Sequence, residues 1–379
     1  MKLFLQAAAG LAAAVLAFSP AVPASKAPAA EPLLVGYYTG WSAYSGYTPD
    51  KVPADKLTHL HYAFAEIGAD NRIALTDQTQ DLKNFEGLRA LKKANPALKT
   101  LISVGGWDGS ARFSDAAATE KSRAVFAESC VDFIVKHGFD GVDLDWEYPV
   151  SGGKAGNKER PQDKENLTLL LKTLREKLDE QGERDGRSYL LTMAAGVSGE
   201  YLKKIQPQKA AEYTNYIFLM AYDLHGPWDR YADLNAPLYQ PSEASPQYKL
   251  SVKGGVENWL AAGVAAEKLV LGMPFYGYVY EGASGLYDTY RSAKSVSYDQ
   301  VKRGYIGKGK QARHPDGKVP YLVGRDFLLS YEDPASAAEK AELAKEQKLA
   351  GVGAWALAHD REGELLGSIY AVLKPDDSR

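Results

Sequence analysis

Eight short runs of apolar, β-branched and aromatic residues recur along the chain, and longer helix-like stretches separate most of them. In order they are LLVGYY from Leu33, THLHYAFA from Thr58, TLISVGG from Thr100, GFDGVDLDWE from Gly138, YLLTMAAG from Tyr189, YIFLMAYD from Tyr216, KLVLGMPFYG from Lys268 and GVGAWAL from Gly351. Near-continuous apolar runs of this length suit parallel strands buried on both faces. Between them, Leu167, Leu170, Leu171, Leu174 and Leu178 fall at helical spacing and make one apolar stripe. Segments 115–137, 251–263 and 335–348 also read as helices. Strand alternating with helix implies a parallel sheet, and eight repeats fit a closed α/β barrel of the (β/α)8 TIM type. A doubly wound open sheet is the rival, but no GxGxxG follows the first strand.

One connection breaks the rhythm. Between the seventh and eighth runs lie about seventy residues, far more than one helix and its loops require. Segment 279–331 is rich in Gly, Tyr and Lys with strand-like pieces, which predicts a small α+β insertion domain between strands 7 and 8. A connection that leaves the C-terminal end of a barrel strand stands on the face where barrel enzymes carry their sites. The insertion is therefore expected to wall a cleft.

The first residues are of a different kind. Lys2 precedes an apolar run that breaks at Pro20, and Val22 and Ala24 occupy the −3 and −1 places of a small-residue cleavage site. This predicts a secretory signal peptide over 1–24, a lead-in over 25–30 and a barrel over 31–376, exported to the periplasm or beyond. The apolar run is too short and Ala-rich for a membrane anchor. Cys130, the one cysteine, has Phe126 and Phe133 at helical spacing and reads as a buried thiol. A net charge of −3 gives no reason to expect nucleic acid or an anionic membrane as partner, and a monomer is expected. Twenty-four Tyr and six Trp against eleven Phe favour aromatics with a polar tip, which suit clefts as well as cores. His59 and His61 share one strand face without a third ligand nearby, so they read as structural or hydrogen-bonding residues; no metal or cofactor is implied.

The fourth run carries the chemistry. FDGVDLDWEYP, Phe139 to Pro149, places Asp140, Asp143, Asp145 and Glu147 among large apolar residues. Strand alternation puts Asp143, Asp145 and Glu147 on one face, turns Asp140 the other way, and leaves Val142, Leu144 and Trp146 for the surrounding helices. Glu147 stands last, at the rim. Like charges so close cannot all ionise freely, so one proton is shared and one pKa is raised. A carboxylic acid kept protonated near neutral pH is what a general acid requires. A salt-bridge ladder is the plainer alternative, but no Lys or Arg lies between His137 and Gly153. A metal site would rest on three acids of one strand with no His beside them.

DGVDLDWE resembles the DxxDxDxE signature of the family 18 glycoside hydrolases, the chitinase family. SVGGW (Ser103 to Trp107) resembles the SxGG third strand of that family, MAYDLHGPWD (Met220 to Asp229) its sixth-strand MxYD motif, and GAWAL the last strand with its Trp. The similarity runs from Leu33 to Leu373, and the insertion resembles that of the deep-cleft branch. The resemblance implies a secreted enzyme acting on chitin and chitooligosaccharides with retention, through an oxazolinium formed by the substrate's own acetamido group, outside the two-carboxylate scheme. In that route Glu147 protonates the glycosidic oxygen, Asp145 orients the acetamido group, and Asp143 shares a proton with Asp145. Tyr222 donates to the acetamido oxygen and Asp223 binds the distorted sugar. The implied substrate-binding set is Trp355 as the floor, with Trp107, Trp228 and Tyr37 at neighbouring sugars, Met220 under the acetamido methyl, and Gly106, Tyr148 and Phe64. Trp259, within a helix, reads as core. Tyr278 stands where relatives often carry Arg. Two other readings stay open: a sugar-binding lectin on the same barrel, and an enzyme for another N-acetylglucosamine glycan, an N-glycan or peptidoglycan.

Overall fold

The eight apolar runs become the eight parallel strands of a closed barrel. A computed structural model describes residues 31–242 and 250–374; the expected signal peptide and lead-in, and the end of the chain, lie outside the described residues. In chain order the strands are β1 (Leu33–Thr39), β2 (His59–Ile67), β3 (Ile73–Leu75), β4 (Lys99–Gly105), β5 (Gly141–Asp145), β6 (Leu190–Gly196) and β7 (Tyr216–Met220). There follow β8 (Leu269–Pro274), β9 (Tyr276–Glu281), β10 (Ser292–Ser297), β11 (Gly309–Arg313), β12 (Pro320–Gly324), β13 (Phe327–Ser330) and β14 (Gly351–Trp355). The barrel runs β1-β2-β4-β5-β6-β7-β8-β14 and closes where β14 pairs in parallel with β1. Short β3 adds antiparallel to the end of β2.

Helices cover the barrel where the apolar stripes predict them. Leu167, Leu170, Leu171, Leu174 and Leu178 are all buried on the helix Asp163–Asp185. The helix expected over 115–137 is instead two, Phe113–Ala117 and Glu120–His137. Thr119 is extended between them and caps the second helix through a reciprocal bond with Ser122, an N-cap signal that competes with continuous helix. Segment 335–348 forms the helix Pro334–Glu346, capped by Asp333, and 251–263 forms Val252–Ala261, capped by Ser251. Trp259 is fully buried and donates its indole N–H to the Gly196 carbonyl at 3.0 Å. Cys130 is a free, buried thiol.

Between β8 and β14 stands a second sheet, antiparallel, in the order β10-β9-β13-β12-β11, with the helix Tyr298–Gly304 after β10. Strand β9 begins directly after β8, and the Phe275 N–H between them donates to the Trp355 carbonyl at 2.8 Å. One continuous chain thus leaves the barrel rim and enters the second sheet. At the other root, Glu332 is buried against Lys340 of the last-but-one helix, and the Ser336 hydroxyl donates to the same carboxylate at 2.7 Å.

Candidate active site

The pleat of β5 turns Asp143 and Asp145 into the barrel, where both are buried, and Trp146 out onto Phe113, ring centroids 5.3 Å apart. Glu147 follows at the rim, and its peptide is clamped from both sides. The Ser110 hydroxyl accepts from its N–H at 2.9 Å, and Asn157 donates to its carbonyl at 3.1 Å. Beside this strand, Gly105 and Gly106 adopt positive φ. A Cβ on Gly105 would sit 2.3 Å from the Asp145 carbonyl oxygen, and one on Gly106 would sit 2.6 Å from the Phe64 ring. Only glycine combines those angles with that crowding.

The three acids differ sharply in environment. Asp143 accepts from the hydroxyls of Tyr37 at 2.9 Å, Ser103 at 2.7 Å and Thr192 at 2.6 Å. The ladder explains two of these, since Ser103 and Thr192 are its register neighbours on β4 and β6. His61 Nδ1 lies 3.3 Å from the same carboxylate. Burial works against the charge, but His61 and the hydroxyls outweigh it and hold Asp143 below the usual carboxylate range. Asp145 goes the other way. Burial first, then the charges of Glu147 and Asp143, push its pKa well up, and its Oδ1 has no hydrogen-bond partner. Of the two buried acids, Asp145 is therefore the one whose surroundings favour the proton. Glu147 is raised to about 7 by burial, with Asp223 and Asp108 adding to the shift and the Tyr148 hydroxyl opposing it.

Asp140, on the outer face, is paired after all: Lys92 reaches it at 2.6 Å and Arg187 at 2.5 Å. The cations lacking in the segment come from elsewhere in the chain. Among the four acids it is the one paired with Lys and Arg.

The rim supplies an apolar floor and polar walls. Tyr37, Phe64, Tyr148, Met220, Tyr222 and Trp355 belong to one cluster, with Trp355 stacked on Phe64 at 5.5 Å. Tyr37 is a correction to the sugar-contacting set. It is only 1% exposed, lies under Trp355, and gives its hydroxyl to Asp143. Trp107 and Trp228 are 48% and 61% exposed, as free indole faces require. Trp41, on the turn after β1, is 56% exposed and 6.3 Å from Phe64, a third such face that sequence reasoning passed over. Its position at the C-terminal end of a barrel strand was the available signal.

Asp223 lies open to the groove, in the left-handed region at φ 54°. Its N–H donates to Asn235 Oδ1 at 2.8 Å, and its Oδ1 accepts from the hydroxyls of Tyr276 at 2.5 Å and Tyr278 at 2.8 Å. The surrounding walls nonetheless push this carboxyl up, against those two hydroxyls. Both tyrosines come from β9. Tyr278, the departure from Arg, thus supplies a neutral donor to Asp223. A cavity of about 580 Å³ opens here, lined by Trp41, Asp223, Tyr276, Tyr278, Arg303 and Trp355 among others. Among the described residues, no group of three or more His, Cys, Asp or Glu could hold a metal.

The sequence model of the Glycosyl hydrolases family 18 matches residues 33–360. The chain belongs to glycosyl hydrolase family 18. Among relatives in this family, chitinase A1 of Niallia circulans is 38% identical over 93% of this chain, which spans 60% of that protein's length. A family 18 N-acetylglucosaminidase from Paenibacillus barengoltzii superposes with a TM-score of 0.82 at 36% identity, covering 90% of this chain and 99% of its own. The second catalytic domain of the Ostrinia furnacalis group II chitinase, a mutant in complex with (NAG)5, gives 0.83 at 30% identity over 91% of this chain and 97% of its own.

Proposed function

We propose that this family 18 chain is a secreted chitinase that hydrolyses β-1,4-linked N-acetylglucosamine polymers with retention, through an oxazolinium intermediate. The observation that carries the reading is the acid row itself, with Asp143 and Asp145 buried in the barrel, Asp143 ringed by three hydroxyls and Glu147 clamped at the rim. These surroundings hold Asp143 low, push Asp145 up and raise Glu147 to about 7. An acid that keeps its proton near neutral pH suits protonation of a leaving oxygen, and the negative charge held in the row beneath it on Asp143 suits support of a cationic neighbour. In this route Glu147 gives its proton to the glycosidic oxygen as that bond breaks. The substrate's acetamido oxygen closes on the anomeric carbon, and Asp145 accepts a hydrogen bond from the acetamido N–H as positive charge develops there. Tyr222 holds the acetamido oxygen, and Asp223 binds the sugar on the Trp355 floor. Water then attacks the anomeric carbon, giving its proton to Glu147, as the bond from that carbon to the acetamido oxygen breaks and the acetamido group is restored.

The relatives named chitinase, and the one solved with (NAG)5, support chitin and its oligosaccharides as substrate class. A lectin reading lacks a use for a buried row of acids so adjusted. The test is Glu147→Gln on chitooligosaccharides of defined length. Turnover is expected to fall at least ~10²-fold with oligosaccharide binding retained, the usual scale for a general acid. The parent is expected to release a β-anomer first. Turnover of the variant near the parental rate overturns the role of Glu147, and inverted product overturns the oxazolinium route. In a secreting host, the exported protein is expected to begin near Ser25; retention of Met1 to Ala24 would count against export.

A further inference from the structure

The reaction as proposed leaves one buried group beneath the acid row without a role. His61 stands on β2 with no exposed surface. Its Nε2 lies 2.7 Å from the Tyr216 hydroxyl, its Nδ1 3.3 Å from Asp143 Oδ2, and its ring meets Tyr37 edge-on at 4.7 Å. A neutral imidazole has one donor nitrogen and one acceptor. Burial, then the charge of Asp143, keeps the Tyr216 hydroxyl protonated, and because Nδ1 faces a carboxylate that can only accept, the tautomer that suits both sides has Nε2 accepting from Tyr216. The imidazole proton is thereby left on Nδ1, facing Asp143. That nitrogen has no other partner, and its contact with the carboxylate is close but not aligned as a hydrogen bond, so its effect is chiefly electrostatic.

We propose that His61 is a positioning residue for the reaction: fixed by Tyr216, it holds the negative charge on Asp143 and so leaves the row's proton on Asp145, next to Glu147. The inference rests on the function proposed above. It acts through Asp143 and requires no contact with substrate. The titratable groups around the imidazole are Tyr37 on β1, Asp143 on β5, Tyr216 on β7, and His59 on its own strand. His59 is no competing cation, since burial, with His61 and Lys99 adding, lowers its pKa to about 3 against the pull of Asp140. Among the described residues, His61 is the one cation-forming side chain within ion-pair distance of Asp143. The hydroxyls of Tyr37, Ser103 and Thr192 complete its shell.

The experiment is kcat and KM against pH on a soluble chitooligosaccharide, for the parent, His61→Leu and Tyr216→Phe. Without the imidazole, the anion on Asp143 is less stable and takes up a proton at higher pH. The acid limb of kcat should move up by about one pH unit, on the scale of a lost electrostatic partner. At pH below the limb, that shift lowers kcat about tenfold. KM should stay within about twofold, because no sugar contact is lost. Tyr216→Phe keeps the ring but frees its tautomer, so it should move the limb the same way by less. A thermal melt checks each fold; if His61→Leu does not fold, Tyr216→Phe alone decides. An active parent whose acid limb is unmoved in the folded variants overturns this inference and leaves the proposed function standing. A parent inactive on the oligosaccharides overturns both.

Discussion

Glu147 is raised to about 7, against an ordinary glutamate value of 4.5, and that has a consequence for stability as well as for catalysis. Between these two pH values the folded chain keeps a proton that the unfolded chain has lost. By linkage, stability therefore falls as pH rises through this window. Glu147→Gln cannot ionise, so it should stabilise the fold above pH 7 by on the order of 3 kcal/mol and change little at pH 4. Melting temperatures of variant and parent across that range check it; a constant difference at every pH would contradict the shift. Much of the residue-level site was legible because strand alternation has a period of two, and that period alone aligns Asp143, Asp145 and Glu147. What was not legible depends on register between distant strands. Nothing local shows that Ser103 and Thr192 flank Asp143, that the Tyr37 hydroxyl turns down onto it, or that His61 faces it from β2. Trp41 was missed for another reason: its one signal is its place just after β1, and no motif surrounds it.

At the scale of elements, the inserted sheet is part of the site as well as a wall beside it. Strand β9 supplies Tyr276 and Tyr278 to Asp223, and the Asn235 N–H donates to Ser330 Oγ of β13 at 2.9 Å. Asn235 in turn accepts from the Asp223 N–H. Asn235→Ala removes the acceptor that holds Asp223 at positive φ and leaves its part-buried N–H unpaired. It should cost about 1–3 kcal/mol of stability. KM should also rise, measured on the same oligosaccharides; an unchanged KM would free Asp223 from the sugar-binding role. The pair Glu332–Lys340 at the sheet's exit makes a separate prediction. Both side chains are buried, so Lys340→Ala strands a carboxylate and should cost about 3–5 kcal/mol in urea unfolding. Exchanging both residues for apolar ones of similar size should cost far less, since no charge is then left alone. The sequence showed that an insertion exists, from the excess length between two strands. It did not show these ties: the bonds from Tyr276, Tyr278 and Ser330 span 53 to 95 positions, nothing local marks Glu332 and Lys340 as a buried pair, and a long apolar run hides the passage from β8 into β9.

For the whole molecule, the site has no local owner. Phe64 comes from β2, Gly106 and Trp107 from just after β4, Asp143 and Asp145 from β5 and Glu147 from just beyond it, Met220 from the end of β7 and Tyr222 from just after it, and Trp355 from β14. Barrel closure is what brings them together, and the second sheet is fastened to the same rim at both its roots. A chain of this length often unfolds in stages, domain by domain. Here the continuous passage from β8 to β9, the Asn235–Ser330 bond and the buried Glu332–Lys340 pair argue against a separately melting insertion. The expectation is one cooperative transition that includes the second sheet. Of the six tryptophans none lies between Tyr276 and Ser330, but Trp228 and Trp355 pack against tyrosines of β9, so Trp146 and Trp259, buried in the barrel's own packing, are the ones whose fluorescence reports the barrel. Amide hydrogen exchange in β11, β12 and β13 reports the inserted sheet. In a urea series the two signals should give the same midpoint, and the slowest amides of the two sheets should open with the same free energy. Exchange in β11 to β13 at urea concentrations where the tryptophans remain native would mean that the sheet opens by itself. In that case the tyrosines holding Asp223 would belong to a mobile wall, and binding of long oligosaccharides should weaken at those same concentrations.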